Sequence, residues 1–305
     1  MKTLLIQTTI AANGDDWSIQ RFSHLVRLLA DLRDVRGEAE FKVLARDRDA
    51  GNGPDSLLSR LDSSEVDVLW LMAVDTGAGL HAEECRAIER FRQRGGGLLV
   101  ARDHMDLGSS LCALDGIGAA HDFHTRNPEA DALRRVNDDI GTPNIQWPNY
   151  HSGRNGDYQE LSVAGPLHPV LIHPVSDTGA IRFFPAHPHE GAISAPPVQG
   201  ARVIAYGWSQ ASGARFNLVV AFDDTAEKGR ALAHSSFHHF ADYNWDAGSG
   251  CPALSVKRRA TAWRRTPPHC RTSSAMSSMR HAGWPASDAG FLYQPERGLF
   301  ICRSC

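Results

Sequence analysis

Apolar residues fall along this chain in two alternating rhythms. Lys2–Gln7, Phe41–Ala45, Val66–Ala73 and Gly97–Arg102 are runs with apolar residues on both faces, the pattern of strands buried on both sides. Between them, Phe22, Leu25, Val26, Leu29 and Leu32 share one helical face, with Ser18 placed to cap that helix. Ala82–Arg94 is a second amphipathic helix, stopped by Gly95-Gly96-Gly97, and Pro54–Leu61 predicts a short one. Strands alternating with helices predict an α/β fold with a mostly parallel sheet flanked by helices.

The rhythm changes after Leu114. Residues 120–165 are polar, dotted with aromatics and rich in turn formers, and a loop this long in a compact domain is usually functional. We therefore expect an insertion or lid there. Val170–Ile172, Ile181–Phe184, Arg202–Gly207, Phe216–Phe222 and Arg230–Phe240 follow as short β-type runs, giving a β-rich, loop-decorated C-terminal half. No repeat or low-complexity linker divides residues 1–254, which read as one domain. No apolar run reaches the roughly 18–20 residues that span a bilayer. The opening apolar run, within Lys2–Gln7, reads as a first strand rather than a signal peptide, so a cytoplasmic location without a membrane partner is expected.

Charge exposes a break that the formal net of −3 conceals. From Leu254 onward there are nine Lys and Arg against two acids, leaving 23 basic and 33 acidic residues in the body. An acidic body argues against nucleic acid as a partner. The basic stretch 256–285 shows no periodicity of its own. Back-translated with GC-rich codons and read one frame over, it yields EAPGDGMAAHPAALQDIKRYVKHAARWLA, which contains an amphipathic helix, and a stop follows. Residues 255–305 are accordingly expected to be a frameshifted tail or a disordered one. Neither Cys302 and Cys305 nor the basic run is read as a site.

Thirteen of the fifteen histidines precede that tail, mostly in polar, turn-rich segments. Neutral imidazole and carboxylate are the usual ligands of zinc and other divalent ions, so a divalent metal is the candidate cofactor. After the strand at 97–102, the elbow Asp103-His104-Met105-Asp106 opens a further helix. There Asp103 or Asp106 caps the helix, or, with His104 and His238, performs acid–base chemistry. His187 and His189 point the same way if the chain is extended, and with Glu190 and His234 they form the candidate metal set. In HSSFHHFADYNWD, His234, His238 and Asp242 share a face if the segment is helical, and Tyr243 offers a ring with a polar tip. The turn-rich stretch 147–158 presents Tyr150, His151, Arg154 and Asp157 as candidate substrate contacts, with Arg154 suited to a carboxylate or phosphate. For each group the alternative is structural: a helix cap, a surface turn or a hydrogen-bonded core histidine. Gly95-Gly96-Gly97 precedes a strand and Gly77-Ala78-Gly79 lacks a third glycine, so no dinucleotide fingerprint is present.

Residues 1–250 resemble the class I glutamine amidotransferase-like superfamily, and within it the ThuA-like (trehalose-utilisation) branch. The resemblance rests on VDVLWLMAVDTGAGL, HAEECRAIERFRQRGGGLLVARDH, His168-Pro169-Val170 and GRALAHSSFHHFADYNWD. It implies a flavodoxin-like fold and a small polar ligand, carbohydrate-derived, at the carboxyl edge of the strands. True amidotransferases place a cysteine at the elbow, within G-x-C-x-G, and pair it with His and Glu. Here the elbow reads Val100-Ala101-Arg102-Asp103-His104, while Cys85 and Cys112 fall in the adjoining helices as small buried hydrophobes. Glutamine hydrolysis is therefore not expected. The chain reads as a Cys-less amidotransferase-like protein acting on or binding a small metabolite, as a hydrolase or isomerase if enzymatic. A non-catalytic binding or assembly domain and a His-rich metal-dependent hydrolase are the alternatives. Homo-oligomerisation stays open.

Overall fold

The structure, a computed structural model, describes residues 1–12, 17–104, 106–121, 149–173, 176–223 and 228–246, and the backbone of two strands, 291–294 and 299–302. The strands in chain order are β1 (Lys2–Ala11), β2 (Phe41–Arg48), β3 (Val68–Met72), β4 (Gly97–Ala101), β5 (Asn149–Tyr150) and β6 (Tyr158–Glu160). They continue with β7 (Ser162–Val163), β8 (Phe183–Pro185), β9 (Glu190–Gly191), β10 (Ala201–Trp208), β11 (Arg215–Phe222) and β12 (Ala231–His234). The helices are α1 (Ser23–Ala30), α2 (Ala82–Gln93) and the single turn α3 (Asp242–Trp245).

Eight strands form one sheet in the order β2-β1-β3-β4-β12-β11-β10-β7. The first five run parallel, which is the 2-1-3-4-5 order of flavodoxin-like doubly wound folds. The other three extend the sheet antiparallel. Helices cover both faces, which is why the strands read as continuous apolar runs. Leu4, Ile6, Trp70, Met72 and Leu99 pack with Leu25, Leu28 and Leu29 of α1 on one side. Leu5, Leu69, Leu71, Leu98 and Val100 pack with Cys85, Ile88 and Phe91 of α2 on the other. Alternate residues of each strand thus enter opposite cores. β3 and β4 are buried along their whole length, whereas β2, at the sheet edge, exposes Lys42 and Leu44.

Several predicted elements differ. The short helix at 54–61 is a 3₁₀ stretch at Leu58–Ser63. The elbow does not open a helix: the next helical residues are the 3₁₀ stretch Ser109–Ala113, so neither Asp103 nor Asp106 is its cap. Gly108 occupies the cap position with φ 74°, and a Cβ there would come within 2.5 Å of both the Ala73 carbonyl oxygen and the Arg102 Cβ. The chain must therefore pass close to the end of β3 before it can turn helical. Residues 169–171 and 237–240 also form 3₁₀ turns rather than strands, set by Pro169 at the first position and by the Ser236 cap. Of the expected insertion, 149–163 supplies β5, β6 and β7, and 122–148 lies outside the described residues. So does the expected frameshifted tail, apart from Phe291–Gln294 and Leu299–Cys302, whose backbones pair antiparallel. Among the described residues, no helix is long and apolar enough to cross a membrane.

Candidate metal centre

Ligands in open α/β sheets sit beyond the carboxyl ends of the strands. β4 and β12 are neighbours there, with Ala101 in register with His234. From β4 the chain continues into Arg102, Asp103 and His104; from β12 it continues through Ser235 and Ser236 into the turn Phe237–Phe240. The Phe237 N–H donates to the Arg102 carbonyl at 2.9 Å, which ties the two exits together. Ser236 then works in two directions. Its Oγ accepts from the His238 N–H at 3.2 Å, capping the turn, and donates to Asp103 Oδ1 at 2.8 Å.

The other oxygen of Asp103 faces two imidazoles. His104 Nδ1 lies 2.6 Å from Oδ2 and His238 Nε2 lies 3.1 Å from it. Burial alone would push this carboxyl up, but His238 and His104 beside it hold it well below the usual carboxylate range. Asp103 is therefore a buried anion. On its far side, His238 hydrogen-bonds the Tyr243 hydroxyl through Nδ1.

His187 completes the group from a different part of the chain, two residues after β8. Its ring stacks on His238 with centroids 3.4 Å apart and planes 20° from parallel. Nδ1 lies 2.7 Å from Asn155 Oδ1. With the amide oxygen as acceptor, Nδ1 carries the proton and Nε2 presents its lone pair. That Nε2 is buried and has no hydrogen-bond partner among the described residues. Burial, aided by His238, holds the His187 imidazole well below its ordinary value, and burial lowers His238 while Asp103 opposes it. One ligand atom each from Asp103, His187 and His238 lie within 4.8 Å of one another, and all three residues are buried. Bonds of about 2.0–2.2 Å put two donors of one ion at most about 4.4 Å apart, so enclosing a cation requires the three groups to draw in and the stacked rings to turn. A carboxylate with two neutral imidazoles is a zinc-type donor set.

His104 and His189 lie beside the cluster, both partly exposed, with ring centroids 5.1 Å apart; His189 is 5.5 Å from His187. Trp17 packs edge-on to Phe237 at 5.1 Å and to His238 at 5.3 Å.

The structure thus gathers Asp103, His104, His187, His189, His238 and Tyr243, which lie far apart in sequence. It places the other predicted site residues elsewhere. Glu190 lies in a separate buried network with His239, at 3.0 Å from its Nε2. His234 ends β12 among Phe184, Phe240 and His239. It shares no helical face with His238, because the chain turns from strand to 3₁₀ between them. Asp242 is turned away altogether and accepts from the Ser23 and His24 N–H groups of α1 at 3.0 and 2.8 Å. Asp106 lies in the turn ahead of Gly108, its carbonyl accepting from the Ser109 N–H. Tyr150 is buried and stacked on Phe216 at 4.5 Å. The His151 carbonyl accepts from the Gln210 N–H, and Arg154 and Asp157 pair with each other across their own turn at 3.6 Å. Sequence reasoning missed Ser236, Asn155 and Ser152. Ser236, two residues before His238, carried a capping signal; the other two carried none.

No protein-family description and no curated protein matches the chain. Solved structures do. The N-terminal domain of mmIFT52 is 13% identical, with a TM-score of 0.41, over 78% of this chain and 88% of its own. A thua-like protein from Parabacteroides merdae is 18% identical, with a TM-score of 0.41, over 77% and 78%. Agd3, a carbohydrate deacetylase, is 10% identical, with a TM-score of 0.39, over 77% of this chain and 29% of its own. These likenesses assign the chain no activity.

Proposed function

We propose that this chain is a metal-dependent hydrolase of a small polar substrate, with Asp103, His187 and His238 holding one divalent ion, zinc by donor type. One observation carries the reading: His187 Nε2, buried and without a partner among the described residues, lies beside a buried carboxylate and a second buried imidazole. An unsatisfied buried nitrogen is costly, and a cation satisfies it. The motif resemblance to ThuA-like proteins supports a carbohydrate derivative as the substrate class.

When bound, such an ion lowers the pKa of a coordinated water to about 7 and polarises a carbonyl oxygen. The protein's own groups do the rest. Asp103 stays anionic, Asn155 fixes the His187 tautomer, and Tyr243 fixes the His238 ring from behind, as partners of metal-binding imidazoles do. His104, whose side chain is 13% exposed and bonded to Asp103, is placed to hand a proton to a leaving group at the mouth. Trp17 shields one side from water and offers an indole to the apolar face of a sugar.

Hydrolysis of an acetylated sugar or a nitrophenyl ester should stop with dipicolinate and return with zinc. His104→Ala should keep the metal and lose about 10²-fold or more in kcat. Hydrolysis that ignores chelation would refute the metal-dependent reading; a folded protein that binds sugars without turnover would establish a binding domain instead.

A further inference from the structure

The strongest feature that the proposed reaction leaves unused is Glu190. It is fully buried, and four side chains from three segments meet its carboxylate. Ser152 Oγ and Gln159 Nε2 donate to Oε1. His239 Nε2 and Ser235 Oγ reach Oε2 at 3.0 and 3.4 Å. All four partners are themselves buried. So many donors leave little of this carboxylate for a metal, and sheet stability alone does not explain where they come from. Ser152 belongs to the segment that clamps His187; Ser235 and His239 flank His238 on the β12 exit; Glu190 sits three residues after His187.

The link to His187 is direct. Ser152 N–H donates to the His187 carbonyl at 3.1 Å, and the His187 N–H donates to Ser152 Oγ at 2.9 Å. With its proton directed at Glu190, the Ser152 hydroxyl has a lone pair left for that second bond. Asn155, three residues on from Ser152, holds the ring of the same histidine. The next residue, Gly191, abuts the elbow so closely that a Cβ there would lie 2.8 Å from the Asp103 carbonyl group and from the Ser235 carbonyl oxygen.

We infer that Glu190 is a positioning residue: its carboxylate braces the Ser152 clamp and the His239 turn so that His187 and His238 are held face to face beside Asp103. Its functional meaning rests on the metal-centre reading above, but its geometry does not. It fixes the two imidazoles whether or not an ion is present.

The test uses the full chain with Glu190→Gln, which keeps the shape and removes the charge, and Ser152→Ala, which cuts the link. In the metal-free protein, long-range ¹H–¹⁵N imidazole spectra should show His187 as one Nδ1–H tautomer in the wild type and as a shifted or mixed population in both variants. Cobalt(II) should bind both variants about 10- to 100-fold more weakly, with a displaced visible band. Folded variants with wild-type His187 resonances and wild-type cobalt affinity would overturn the inference. If Glu190→Gln does not fold, Ser152→Ala decides by the same readings. If the wild type itself takes up no cobalt, the metal centre fails, and the imidazole spectra still decide the role of Glu190.

Discussion

At residue 191 there is room for a hydrogen atom and nothing larger. Backbone of the β4 and β12 exits lies 2.8 Å from where a Cβ would stand, and backbone cannot rotate out of the way as a side chain can. Gly191→Ala should therefore push β9 off the two exits and cost about 1–3 kcal/mol, read as a lower midpoint in urea unfolding. Unchanged stability would mean that β9 does not sit where the structure puts it. His121 supports a second prediction at this scale. It is fully buried, neither ring nitrogen has a hydrogen-bond partner among the described residues, and burial, with Arg102, holds its pKa well below the ordinary histidine value. The unfolded chain protonates this group below about pH 6.5 while the folded chain resists, so its contribution is intact above that pH and is lost progressively below it. Between pH 6.5 and 5.5 the wild type should lose about 1 kcal/mol more unfolding free energy than His121→Leu. Equal slopes for the two proteins would contradict the assignment.

At the scale of elements, α1 has no side-chain cap of its own; Asp242 reaches its first N–H groups from more than 200 residues away. Asp242→Ala should cost about 1–2 kcal/mol in thermal or urea unfolding, the worth of a helix cap, whereas a surface acid such as Glu160 should cost almost nothing. This contact also shows what the sequence could and could not reveal. β1, β3 and β4 and both main helices were legible, because burial on two faces leaves an apolar run and burial on one leaves a helical stripe. The 3₁₀ turns at 169–171 and 237–240 were not, because a proline or a capping serine decides them within three or four residues. The candidate cluster was half legible as a grouping of side chains. Asp103 and His104 announced themselves by following a buried strand, and His187 and His238 by lying in His-rich segments. That His187 stacks on His238, while Glu190 and His234 go elsewhere, depends on how β9 crosses the ends of β4 and β12, which no local pattern encodes.

For the whole molecule, the strand order places β4 and β12 side by side, and every member of the buried cluster comes from their exits or from the β8–β9 segment laid over them. The fold concentrates a carboxylate and two neutral imidazoles where doubly wound sheets hold their ligands. The most direct measurement of this account is the metal content, by elemental analysis, of the full chain purified without an affinity His-tag, alongside Asp103→Asn and His187→Ala. We expect close to one equivalent of zinc, or of another divalent ion of the same donor preference, in the wild type, and its loss from both variants. A folded wild-type protein that stays metal-free after exposure to zinc, manganese and ferrous iron would contradict the account.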